Sequence, residues 1–140
     1  MAVNRDLLKP YLFITKPYTD SMNAYRLITK TDGASSFQKG QIKELKQVPA
    51  DYFFFQQDPP ERKSFDWHPA PRAQYVITLR GTIEFTVTDG TSFVLQPGDI
   101  LIAQDMGSTG HKWRMIGDES WARTYIVLKE GEDDGFEIEA

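Results

Sequence analysis

Between residues 67 and 128 the apolar side chains recur at every second position rather than every third or fourth, and that period dictates strands, not helices. Residues 82–88 read TIEFTVT. Ile83, Phe85 and Val87 share one face, and Thr82, Glu84, Thr86 and Thr88 the other, as in a half-buried strand. Residues 74–80 (QYVITLR), 92–96 with Phe93 and Leu95 inward, 100–103, 111–116 (HKWRMI) and 122–128 (ARTYIVL) extend the series. Gly81 interrupts it once. Asp89-Gly90 predicts a two-residue hairpin with positive φ at both central positions. Pro97-Gly98-Asp99 predicts a second turn. Earlier in the chain, residues 25–29, 36–45 and 52–57 (YFFFQQ) read as strands punctuated by Gly33, Gly40 and Pro49. Residues 6–11 read as a short helix, and Pro59-Pro60 forces an extended or turning segment. Many short strands with turn signals between them indicate an all-β sandwich or barrel.

The length of 140 residues suits one domain, and an apolar fraction of 40% suits a packed core. No apolar run approaches the roughly 18 residues a spanning helix needs. Residues 1–16 lack the charged start, apolar stretch and small-residue cleavage site of a secretory leader, so a cytoplasmic setting is expected. With no cysteine, disulfides, thiolate nucleophiles and thiolate metal sites are excluded, and a metal would rest on histidine, carboxylate or amide oxygen. There are two histidines, His68 and His111. The net charge of −4 is uneven: residues 129–140 hold six acids and one base, which leaves +1 on the rest. Without a basic stripe, neither nucleic acid nor an anionic membrane is the expected partner. The acidic tail reads as a solvated end in preference to a docking segment.

Residues 67–81, WHPAPRAQYVITLRG, resemble the first conserved block of cupins, and the turn at 97–99 followed by His111 resembles the second. The resemblance implies an all-β, cupin-type double-stranded β-helix (a jelly-roll barrel) with extra N-terminal strands. It divides a single domain, 1–140, into an N-terminal extension (1–60), a motif core (61–128) and the acidic tail (129–140). His68 and His111 fall on family histidines, Gln74 on the family acid, six residues before Gly81, and Ala70 where a second histidine normally stands. The resemblance thus implies a weakened site for a divalent transition metal (Mn, Fe, Ni or Zn) on His68, Gln74 and His111, or a metal-free site.

Residues 68, 70, 72 and 74 have the same parity, so in one extended strand they project to one face. Arg72 there would repel a metal but suit a substrate carboxylate or phosphate; alternatively Pro71 makes a bulge and turns it to solvent. The enzymatic reading is a barrel mouth acting on a small polar metabolite. His111, His68 and Arg72 carry a lyase, dehydratase or isomerase reaction there, and Gln74, Tyr75, Trp113 and Asp105 bind substrate. The alternatives are a metal-dependent enzyme, oxygenase included, with metal on His68, Gln74 and His111, and a binding module without chemistry. Trp113 and Met115 also suit plain core. If Gln74, Val76 and Thr78 face inward, Tyr75, Ile77 and Leu79 face outward and need cover, from strands such as 52–55 or from a second subunit. A homodimer is therefore expected.

Overall fold

The computed structural model describes residues 22–139, so the helix expected at 6–11 lies outside the described residues. The described chain forms eleven strands: β1 (Asn23–Thr29), β2 (Ser35–Ile42), β3 (Ala50–Asp58), β4 (Ser64–His68), β5 (Gln74–Arg80), β6 (Thr82–Thr86), β7 (Ser92–Leu95), β8 (Ile100–Gln104), β9 (His111–Ile116), β10 (Trp121–Leu128) and β11 (Phe136–Ile138). Among the described residues no helix is long and apolar enough to cross a membrane.

The strands build two sheets, one of seven in the order β11-β2-β1-β8-β5-β10-β3 and one of four in the order β4-β9-β6-β7. They pack as a sandwich. Val76, Leu101 and Trp121 of the larger sheet meet Ile83, Phe85, Phe93, Leu95, Trp113 and Met115 of the smaller in one core. Hydrogen bonding does not run continuously from one sheet into the other, so the closed barrel of the sequence reading is an open sandwich. Trp121 is 1% exposed and packs edge-on against Phe85 and Trp113, and its Nε1–H donates to Thr78 Oγ1 at 3.2 Å. Removing an aromatic ring so enclosed costs about 3–5 kcal/mol.

The chain changes sheet at Gly81, whose φ of +99° is one that side chains resist, and a Cβ there would stand 3.0 Å from the Ser120 carbonyl. The 96–99 turn is closed by Asp99 N–H to Gln96 O (2.9 Å) and locked by the Asp99 carboxylate on Gln96 N–H (2.8 Å).

Several expectations need correction. The 89–90 hairpin exists, but only Gly90 has positive φ, and its N–H closes onto Val87 O at 2.9 Å. That is a three-residue loop with glycine in the left-handed position, not a two-residue primed turn. Residues 52–57 do not cover β5. As β3 they pair with β10 at the edge of the same sheet and add Phe53 and Phe55 to its outer face. The tail is only partly solvated. Asp134 is 3% exposed, pairs with Arg26 at 3.1 Å and accepts from Gln104 at 2.7 Å, while β11 pairs with β2.

Candidate functional site

A cavity of about 250 Å³ lies between the sheets, lined from β3, the 59–63 segment, β4, the 69–73 loop, β5, β6, β8, β9 and β10. His68, Arg72, Gln74, His111 and Trp113 line it. The reason differs from the one the sequence offered. Residues 68–74 are not one strand: β4 ends at His68, a loop follows, and β5 begins at Gln74. The loop curls so that Ala70, Pro71 and Arg72 still border the cavity.

Two strands bring the histidines together. His68 on β4 and His111 on β9 are register partners, with ring centroids 4.6 Å apart. Gly110 permits this. Its φ is +101°, and a Cβ would lie 2.6–2.8 Å from the backbone of His68. Only a residue without a side chain lets β4 approach so closely.

Both rings are held from behind. His111 Nδ1 lies 2.7 Å from Asp105 Oδ2, and His68 Nδ1 lies 2.6 Å from the Asp66 carbonyl. Both partners only accept, a carboxylate and a carbonyl, so each Nδ1 carries the proton and donates. In the neutral rings Nε2 then bears the lone pair, and it has no protein partner among the described residues. Burial lowers the His68 pKa below the ordinary imidazole value, and His111 pushes the same way. The Asp66 carbonyl and the charges of Asp105 and Asp66 offset this only in part. Burial alone would raise Asp105. The hydrogen bond and charge of His111, the Ser35 hydroxyl and the Ala70 N–H outweigh it and hold the carboxyl below its usual range. Ser35 Oγ donates to Oδ2 at 2.8 Å and Ala70 N–H to Oδ1 at 3.0 Å. Asp105, expected among the substrate-binding groups, is fully buried behind His111 and orients that ring instead.

Tyr75 is not in the cavity. It points to the outer face of the larger sheet, where its hydroxyl donates to the Asp134 carbonyl. Burial and the charges of Asp134 and Asp133 push its pKa up to about 12. Trp113 is a core residue, 6% exposed, that also borders the cavity.

Sequence reasoning missed a second polar cluster. Arg123, 3% exposed, sets Nη1 2.7 Å from Asp58 Oδ2, donates to Tyr125 Oη at 3.1 Å and lies 3.9 Å over the Trp121 ring. Arg62 lies 3.8 Å from the same aspartate. An arginine at an inward position of an otherwise apolar strand was the available signal. The aspartate that balances it lies 65 residues away, and only the β3–β10 register reveals it.

For a metal, the described residues supply two imidazole nitrogens and one neutral amide, Gln74, whose Oε1 is buried without a donor. No group of three or more His, Asp or Glu arranged as ligands occurs among the described residues. Histidine ligands usually donate their second N–H to a carboxylate or carbonyl, as both rings do here. The second N–H of each ring is thus braced as a ligand's would be, while the set stays one His, Asp or Glu short of such a group.

The family model for the cupin domain (Cupin_2) matches residues 54–128. No curated protein matches the chain. Solved structures similar to it include a cupin-2 domain protein from Shewanella frigidimarina, at 20% identity over 62% of this chain and 82% of that one, with a TM-score of 0.42. A protein from Neisseria meningitidis is 16% identical over 92% of this chain and 100% of its own, with a TM-score of 0.42. The cupin domain of Cnp3 from Schizosaccharomyces pombe is 17% identical over 80% and 86%, with a TM-score of 0.44.

Proposed function

The chain belongs to the cupin domain family, and from that premise we propose that the cavity between its sheets is an active site for proton transfer on a small polar metabolite, in a lyase, dehydratase or isomerase reaction. The observation that carries this reading is the Asp105–His111 pair beside His68, both imidazoles lining the cavity with only their Nδ1 atoms engaged by the described residues.

His111 Nε2 takes a proton from the substrate. Asp105 keeps the ring in the competent tautomer and stabilises the imidazolium that forms. The imidazolium returns the proton, either to a leaving hydroxyl or to a neighbouring carbon. His68, kept neutral by burial, accepts a hydrogen bond from a substrate hydroxyl. Arg72 offsets the negative charge that develops as the proton leaves, and Gln74 and Trp113 contact the bound molecule.

A second reading rests on the two outward-braced imidazoles and the orphaned Gln74 oxygen. His68, His111 and Gln74 would hold a divalent transition metal, which when bound supplies a Lewis acid that polarises a carbonyl or activates water. The proposal also includes a homodimer, supported by the exposed apolar outer face at Phe53, Phe55 and Leu79.

Proton NMR in D2O over a panel of small 2-oxo and hydroxy acids tests the chemistry. Wild type should place deuterium at a carbon-bound position of a panel member. His111→Asn should slow this by about a hundred-fold or more, and Asp105→Asn by less. Equal exchange by wild type and His111→Asn overturns the proton-transfer reading. Stoichiometric metal in protein purified without chelators, lost in both His68→Ala and His111→Ala, favours the second reading. Ligand binding that is indifferent to both variants, with no exchange by any form, favours a binding module without chemistry.

A further inference from the structure

The protein as a whole is acidic, with a net charge of −4, yet its cavity is not. Arg62, Arg72 and Arg123 line it against a single carboxylate, Asp58, an excess of two positive charges with the histidines neutral. Counting Asp105 behind His111 still leaves an excess of one. A low-dielectric cleft with charge of one sign focuses its field on the ligand it admits.

The three arginines are not equivalent. Arg123 is committed to Asp58, Tyr125 and the Trp121 carbonyl, and Arg62 leans on the same aspartate from a half-exposed position. Arg72 has no carboxylate within 4 Å among the described residues. Its guanidinium lies 5.9 Å from the ring centres of both Tyr52 and Phe54, and its Nε is buried without a hydrogen-bond partner. Aromatic faces hold a guanidinium in place while leaving its in-plane donors unused. Those donors form a fork suited to a carboxylate.

Aromatic rings dominate the rest of the wall: Phe65, Phe85, Trp113, Trp121 and Tyr125 border the same space, together with smaller apolar side chains such as Val76 and Leu101. At about 250 Å³ it falls below the usual ligand-pocket range of roughly 300–1,000 Å³, so it takes one ring and little more. We infer that the cavity binds a small planar carboxylate, an aromatic or conjugated acid, with its carboxylate on Arg72 and its flat body among the aromatic side chains. This inference rests on the cavity being the functional site, as proposed above, but not on the chemistry of His111.

Benzoate, its neutral counterpart benzamide and inorganic phosphate serve as probes, read by the fluorescence of Trp113 and Trp121 and by calorimetry. Benzoate should bind saturably and at least ten-fold more tightly than benzamide or phosphate. Arg72→Gln should weaken benzoate by about ten- to a hundred-fold and leave benzamide unchanged, and Arg72→Lys should fall between. Circular dichroism and thermal unfolding establish that the variants are folded. No saturable benzoate binding, equal binding of benzoate and benzamide, or indifference of benzoate to Arg72→Gln each overturns the inference. Phosphate binding as tightly as benzoate with the same Arg72 dependence overturns it too, by making the site a general oxyanion site. Failure of the functional reading is distinguishable: benzoate would bind through Arg72 yet leave the imidazole ¹⁵N signals of His68 and His111 unmoved.

Discussion

On the inner face of β5 and β10, Gln74, Thr78 and Arg123 are 5%, 1% and 3% exposed. On the outer face of β5 and of β3, which flank β10 on either side, Leu79, Phe53 and Phe55 are 53%, 65% and 67% exposed. One sheet thus buries polar groups on one side and wets large apolar ones on the other. Each is costly unless something offsets it. Inside, the offset is largely visible: Arg123 has Asp58, Trp121 has Thr78, and His111 has Asp105. The inner atoms left without a hydrogen bond are Asp58 Oδ2, which has only the charge contact with Arg123 at 2.7 Å, Gln74 Oε1 and Arg72 Nε, and all three residues border the cavity. Outside, the tail covers one end of the sheet, through Asp134 on Arg26 and its carbonyl on Tyr75, and stops short of Phe53, Phe55 and Leu79. On the proposed function, the inner face serves the chemistry and the outer face the contact between copies.

The harshest way to break the contrast is Arg123→Ala. It leaves Asp58 buried without its close partner, and urea unfolding should show a loss of about 3–5 kcal/mol. A loss below 1 kcal/mol would mean that the inner polar cluster is not truly desolvated. Gly110→Ala comes next. Left-handed backbone plus the clash with the His68 backbone should cost about 2–3 kcal/mol. It should also push the imidazoles apart, visible as a change in their NMR shifts; a variant with wild-type shifts would show that β4 yields freely.

The two faces should also respond to opposite ends of the pH scale. His68 and Asp105 are both held below their ordinary pKa values, so the folded state binds protons less readily than the unfolded one. The inner contribution is present above the ordinary values and drains away as pH falls, first through the imidazole range and then through the carboxylate range. Tyr75 on the outer face is pushed up to about 12, so its contribution is present below the ordinary tyrosine value and is lost as pH rises through about 12. Thermal unfolding across pH should show His68→Asn flattening the acid limb and Tyr75→Phe flattening the alkaline one. A swap of those effects would refute the assignment of faces.

The mildest expected effect on stability is Phe53→Ser with Phe55→Ser, within about 0.5 kcal/mol per site for exposed positions. The same pair should convert a dimer into a monomer in light scattering. A wild type that is monomeric at every concentration would remove the outer face from the account.

Period-two alternation made β5 to β10 legible almost strand by strand, because each half-buried strand writes its two faces into the sequence. β4 escaped because it is only five residues long and its alternation does not mark burial, Phe65 and Trp67 of SFDWH both being exposed, and so did β11, a three-residue strand in an acidic segment. The association of His68 with His111 was readable from a resemblance. The reason they meet, a glycine at 110 with no room for a side chain, was not. Asp134 looked like one charge among many because its partner Arg26 lies 108 residues away. Long-range partners of single charged residues leave no local pattern; the pairing of strands creates them.

The Asp105–His111 pair is most directly examined by ¹⁵N NMR of the histidine side chains at a pH where the rings are neutral. A His111 ring protonated on Nδ1, with an unprotonated Nε2 and loss of that fixed tautomer in Asp105→Asn, is the expected result. A ring protonated on Nε2, or one exchanging freely between tautomers in the wild type, would contradict the account.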